Sequence, residues 1–278
     1  MSKTVSRGSS APPPATLDAL RSRIDTLDQE IHALLMERAR TVSEIARAKG
    51  PTAGATIIHP GREVRVLMRR LEAHEGPLPA SLVAHIWRAV IAAACHLQRP
   101  FDVHAVGLAA PDGALRDLAR FWFGFEVGLI DSADGAAAIA ALEAAPGDLA
   151  LVPVSAPGDW WSALSEDGVH VIGRFGANDE PLGDILLLGG ALVGPGPEAV
   201  NVYRLIFDGD ALLPEDVEPI ARRTNPAGSA ILAVSPLSPD ALAAAWGPAD
   251  GPVSIAHAGR YDPDLMSAVG NPPAVCKE

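Results

Sequence analysis

From Thr16 to Lys49 the chain runs without a proline or a glycine, and its apolar residues fall at Leu17, Leu20, Ile24, Leu27, Ile31 and Leu34, in alternating steps of three and four. That spacing is a heptad seam and predicts one helix. Thr16 and Asp18 supply start signals and Lys49-Gly50-Pro51 the stop, so the helix is about 33 residues and roughly 50 Å long at 1.5 Å per residue. Residues 62–74 read as a second, short helix and 80–98 as a third, separated by breaks at 51–61 and at Gly76-Pro77-Leu78-Pro79. Three helices of such unequal length cannot bury the long one alone. Dimerisation through its seam is the economical solution.

The seam then continues onto charge. Four residues after Leu34 the next seam position is Arg38, and a guanidinium there is costly unless an anion or a carboxylate meets it. Lys49 lies eleven residues further, about three turns on and close to the same face, with Ile45 keeping the seam apolar between them. Arg21, seventeen residues before Arg38, stands about 25 Å away and about a quarter turn off. It cannot serve the Arg38 cavity within one chain, but antiparallel pairing of two long helices would deliver it to the partner's cavity. The bland alternative is that Arg21 and Arg38 are surface charges paired with nearby acids such as Asp25 or Glu37. On the third helix the row Ile86, Val90, Ala94 ends on Gln98, either facing water or closing a buried stripe with a carboxamide. In the first turn of the second helix, Glu63 beside Arg62 suits the helix dipole, so capping is its simplest account.

Composition narrows the partners. Residues 1–100 hold 14 Lys/Arg against 9 Asp/Glu, whereas 101–278 hold 8 against 25. The first excess is too mild for nucleic acid and suits a small anionic metabolite. Only Cys95 and Cys276 occur, with no Cys-x-x-Cys pair and no histidine cluster at ligand spacing, so neither a disulfide framework nor a metal site is expected. The purely apolar stretches are short or interrupted, which predicts no membrane span. Residues 1–15 read as a disordered leader without an apolar signal region, and the expected location is the cytoplasm.

Several strings together carry a resemblance: Leu20-Arg21-x-x-Ile24-Asp25-x-Leu27-Asp28-x-x-Ile31-x-x-Leu34-Leu35-x-x-Arg38, Ile45-Ala46-x-x-Lys49, Pro60-x-Arg62-Glu63, and Trp87-Arg88 with Gln98 eleven beyond the Trp. Over residues 16–99 they resemble the all-helical chorismate mutases, in particular the mutase domain fused to prephenate dehydratase. The resemblance implies an intertwined homodimer with two shared sites, each receiving Arg21 from the partner chain. It implies that Arg21 and Arg38 grip the two carboxylates of chorismate, that Lys49 and Gln98 hydrogen-bond the ether oxygen, and that Glu63 binds the ring hydroxyl with Arg62 in support. The implied reaction is the Claisen rearrangement of chorismate to prephenate in aromatic amino-acid biosynthesis, the shikimate pathway. It proceeds without a cofactor, a covalent step or an acid/base step, by conformer selection and stabilisation of negative charge on the breaking ether oxygen. Two positions depart from the family pattern. Ala94 stands where a polar residue often contacts a carboxylate, with Cys95 and backbone groups as possible compensation, and His59 stands where an acid sometimes precedes the Arg-Glu pair, as a loop residue offering its backbone.

Beyond Pro100 the pattern changes. Short β-like runs at 103–108, 149–154, 169–172, 185–188 and 230–234 alternate with helix-like stretches at 115–123, 136–144 and 240–245, which predicts an α/β domain over 100–278. The turn at Val106–Gly113 and the run ending Leu151-Val152-Pro153-Val154 resemble the opening of a prephenate dehydratase. The catalytic strings of that family are missing: Ser155-Ala156-Pro157 replaces Glu-Asn-Ser, and neither a Thr-Arg-Phe motif near residues 178–186 nor the Glu-Ser-Arg-Pro motif of its regulatory domain occurs. The expected architecture is therefore α plus α/β: a three-helix intertwined-dimer mutase domain at 16–99, then a degenerate, periplasmic-binding-protein-like α/β domain. The rival readings are a bifunctional mutase/dehydratase, an isochorismate pyruvate lyase, and a non-catalytic helical dimerisation module with a ligand-binding domain.

Overall fold

A computed structural model describes residues 16–50, 58–175, 183–190, 199–209, 212–225, 228–246 and 251–261. The expected leader at 1–15 and most of the expected loop at 51–61 lie outside them. The chain divides into two compact units, Met1–Ala48 and Lys49–Glu278.

The described part of the first unit belongs to one helix, α1 (Leu17–Lys49). It begins where the start signals stand, with the Thr16 hydroxyl accepting from the Ala19 N–H at 3.3 Å. The seam residues Leu20, Ile24, Ile31 and Leu34 are between 52% and 65% exposed, and Leu27 is 39% exposed, so among the described residues nothing covers the seam.

The second unit opens with α2 (Pro60–Glu72) and α3 (Ala80–Gln98). A nine-stranded mixed sheet follows, with β1 (Asp102–Val106), β2 (Gly128–Ser132) and β3 (Leu149–Pro153) parallel, and α4 (Ala114–Phe123) and α5 (Gly135–Ala144) as their crossovers. The sheet continues through β4 (His170–Phe175), β5 (Ile185–Gly189), β6 (Val200–Phe207), β7 (Glu218–Asn225), β8 (Gly228–Ser235) and β9 (Ser254–Tyr261), with α6 (Pro239–Ala244) between the last two. Strand order is β2-β1-β3-β5-β4-β9-β6-β8-β7. A helical segment followed by a mixed sheet with helices is the α plus α/β order expected. The sequence reading missed β2, β6, β7 and β9.

Side chains alternate across the sheet as the pleat requires. Val103, Ala105, Leu149, Leu151, Ile172, Ile185 and Leu187 face a core built with Val64, Ile91, Cys95, Leu118 and Trp122. Ala150, Val152, Val171, Leu186 and Leu188 face the opposite core, with Ile139, Leu142, Trp160 and Trp161. The change from helix to strand between Gln98 and Asp102 is therefore no break in packing: α2, α3 and α4 share one core with β1 and β3. At the β9 bulge, Gly259 has φ +146 and lies so close to the Val171 backbone that a Cβ would meet its carbonyl oxygen at 2.3 Å.

Among the described residues one helix, α3, is by length and composition long and apolar enough to cross a membrane. The expectation of no span rests on purely apolar runs, whereas α3 is apolar on average while carrying His85, Arg88 and His96. Its buried residues are Ala84, Arg88, Ile91, Ala92, Ala94 and Cys95, whereas Leu82, Ile86 and Leu97 are exposed.

Candidate active site

The expected site residues divide between the two units. Arg21, on α1, is exposed and lies 3.6 Å from Asp18 one turn earlier, a surface charge beside a nearby acid. Both partners are largely in solvent, so the pair contributes little. Arg38 is half-buried on the same helix, and Ala39 beside it is half-buried too. Lys49 closes α1, and its side chain lies outside the described residues.

In the second unit, α2 and α3 converge on one carboxylate. Pro60 starts α2 where a missing N–H costs nothing, and His59 precedes it as the cap residue. The His59 N–H donates to Glu63 Oε1 at 3.2 Å, while the Glu63 N–H donates to the His59 carbonyl at 3.0 Å. Glu63 and the His59 backbone thus cap the start of α2 between them. The rest of the environment was not foreseen. Glu63 is 7% exposed, and Arg88 of α3 donates from Nη1 to Oε2 at 3.0 Å. The Cys95 thiol lies 3.7 Å from Oε1. Arg88 is itself buried; its other terminal amine donates to the Trp122 carbonyl, and its guanidinium lies 4.1 Å from the centre of the Trp122 ring.

Gln98, the last residue of α3, is half-buried and donates from Nε2 to the Ala94 carbonyl at 3.2 Å, capping its own helix. Ala94 is buried. Arg62 is exposed in the first turn of α2. The structure therefore gathers Glu63, Arg88, Cys95 and the His59 N–H around one buried charge, with Gln98 one turn beyond Ala94 and Cys95. The signal for Arg88 was available: an arginine inside an otherwise apolar helix needs an anion, the argument applied above to Arg38.

A second polar cluster lies where β4, β6 and β9 meet. His257 lies within hydrogen-bonding reach of Asn201 Oδ1 at 3.3 Å and 3.6 Å from Glu166, with its ring edge-on to Tyr203. Burial pushes the His257 imidazole below its ordinary value of 6.5, with His170 and Arg260 adding to the shift and Glu166 opposing it. Burial likewise lowers His170, against a hydrogen bond to the Gly168 carbonyl and the Glu166 charge. Burial also pushes the Tyr203 hydroxyl up to about 12. Folding thus keeps both imidazoles neutral where the unfolded chain would protonate them. Below pH 6.5 the unfolded state binds more protons, so stability falls as pH falls through that value and below. Urea unfolding followed between pH 7.5 and 5 should show this decline, and a His170→Gln/His257→Gln double variant should show a shallower one. An equal slope in parent and variant would count against the cluster as its source.

Comparison with known proteins places a family on the helical part. Residues 20–99 match the family model of chorismate mutase type II, so the chain carries such a domain near its N-terminus. The chain is 35% identical over 107 residues to the bifunctional chorismate mutase/prephenate dehydratase of Pseudomonas aeruginosa, covering 37% of this chain and 28% of that protein. It is 38% identical over 96 residues to the protein of the same description from Neisseria gonorrhoeae, covering 33% and 26%. It is 30% identical over 150 residues to the T-protein of Haemophilus influenzae, covering 50% and 40%. These matches span well under half the length of the relatives.

Proposed function

We propose, taking the chorismate mutase type II domain at residues 20–99 as the premise, that the protein is a chorismate mutase acting as a homodimer with two shared sites. The match carries this reading, and Arg21, Arg38, Lys49, Glu63 and Gln98 all lie within the matched residues. The proposed functional segments are 16–99 and 100–278. Arg38 and the partner chain's copy of Arg21 hold the two carboxylates of chorismate. Lys49 and Gln98 donate to the ether oxygen as it gains charge, which is the interaction that strengthens in the transition state. Glu63 accepts from the ring hydroxyl, supported by Arg62 and by the His59 backbone, while Ala94 lines the site without a polar contact. No electron or proton leaves the substrate, so the protein's own side chains suffice and no cofactor or metal is invoked.

The exposed seam of α1 supports the dimer, since Leu20, Ile24, Ile31 and Leu34 are a little over half exposed and a partner that buried them would gain about 1–2 kcal/mol for each. The cytoplasm is the proposed location, with no role for membrane or nucleic acid. The test is incubation of the purified protein with chorismate, isochorismate and prephenate in separate reactions, with products resolved by chromatography. Prephenate that forms from chorismate and persists is the expected result. Phenylpyruvate would mean that the sheet domain is an active dehydratase, and release of pyruvate from isochorismate would mean a lyase. No turnover of any of the three would leave the non-catalytic dimerisation module.

A further inference from the structure

We infer that Arg88 is a positioning residue for Glu63, and that through Arg88 the sheet domain holds one wall of the proposed mutase site. This rests on the function proposed above. An ionised carboxylate offers about four acceptor positions on its two oxygens. In Glu63 three of these are directed at donors fixed by the protein: the His59 N–H and the Cys95 thiol on Oε1, and Arg88 on Oε2. One acceptor position remains for a hydroxyl from outside, and its direction is set by the other three.

Arg88 is in turn held from the far side. Its second terminal amine donates to the Trp122 carbonyl and its plane lies over the Trp122 ring, and both belong to α4, the first crossover helix of the sheet domain. Trp122 is seated in the core with Phe123, Leu151 and Phe175. The connection from sheet core through Trp122 and Arg88 to Glu63 is thus made of buried groups throughout. Stability alone does not explain the pair, because apolar residues of similar volume often do as well as a buried ion pair or better. A carboxylate that must meet one hydroxyl in one direction does explain it, and it gives a sheet domain lacking the dehydratase strings a function in the proposed mutase reaction.

The test is steady-state kinetics of the full chain with chorismate and with a chorismate analogue lacking the ring hydroxyl. For Arg88→Met the expected result is a KM for chorismate raised roughly ten- to a hundredfold, the range for one hydrogen bond to a charged group, with kcat changed much less. With the analogue, parent and variant should perform alike, because the bond Arg88 serves is absent. Arg88→Lys should recover part of the loss. Should Arg88→Met not fold, Trp122→Leu, which keeps the ion pair but removes the ring beneath it, should raise KM for chorismate alone. If the parent turns over chorismate but the variants keep its KM, or suffer equally with both substrates, the inference is overturned. If the parent itself is inert, the functional reading fails and takes the inference with it.

Discussion

An Arg38→Gln variant is expected to lose about 10²- to 10³-fold in kcat/KM for chorismate while unfolding at the parent's urea midpoint, and Lys49→Gln is expected to lose a similar factor in kcat. The two residues share nearly one helix face, and in the proposed mechanism both charges act on a single anionic substrate, Arg38 on a carboxylate and Lys49 on the ether oxygen. Glutamine keeps length and helix propensity and can still donate a neutral hydrogen bond, so the loss isolates the charge. Because the cations act on one bound molecule, the double variant should lose much less than the product of the single losses. The two singles should divide differently: Arg38→Gln acts on ground and transition states alike and raises KM, whereas Lys49→Gln acts where charge develops and lowers kcat. Activity within threefold of the parent for both variants would exclude the mutase mechanism and favour a helical dimerisation module.

How far the sequence disclosed this protein depended on whether the interaction was local. The long helix was legible to the residue at its start, since a seam of Leu and Ile unbroken by Pro or Gly has no other regular solution. Central strands such as β5, Ile185–Gly189, were legible because burial on both faces demands a continuous apolar run. The strands that escaped lacked such runs. At the sheet edges, β2 is mostly exposed and β7 contains Pro219 and two arginines, compositions tolerated only where one side has no neighbour. β9 breaks its apolar pattern with His257, Gly259 and Arg260 at a bulge. In the site, Glu63 could be read as a cap because its partner is four residues away. Its pairing with Arg88, twenty-five residues on, and the anchoring of Arg88 by Trp122, thirty-four further, are products of tertiary packing. No periodicity records such contacts, although a charged residue inside an apolar helix announces that one must exist.

The proposed sharing of sites between chains leads to a result that no monomeric enzyme can give. Arg21→Ala and Arg38→Ala variants, each purified alone, should both be nearly inactive, because every site of either homodimer lacks one of its two carboxylate-binding arginines. Unfolded together and refolded as a mixture, they should recover activity. In a mixed dimer one site draws Arg38 from the first variant and Arg21 from the second and is intact, while the other site lacks both. With random pairing about half of the dimers are mixed, and one of the two sites in each is sound, so equal amounts should recover about a quarter of the parent's activity per chain. The recovered KM should equal the parent's, because the working sites are chemically complete and only their number is reduced. Chorismate turnover before and after co-refolding, with each variant refolded alone as the control, measures this directly. Geometry within one helix already requires the outcome if both arginines are used, since a residue about 25 Å along α1 from Arg38 cannot reach the same small molecule unless a second helix carries it there. A mixture no more active than its separate components would mean that Arg21 and Arg38 of the same chain act together or that Arg21 takes no part, and either result removes the shared site.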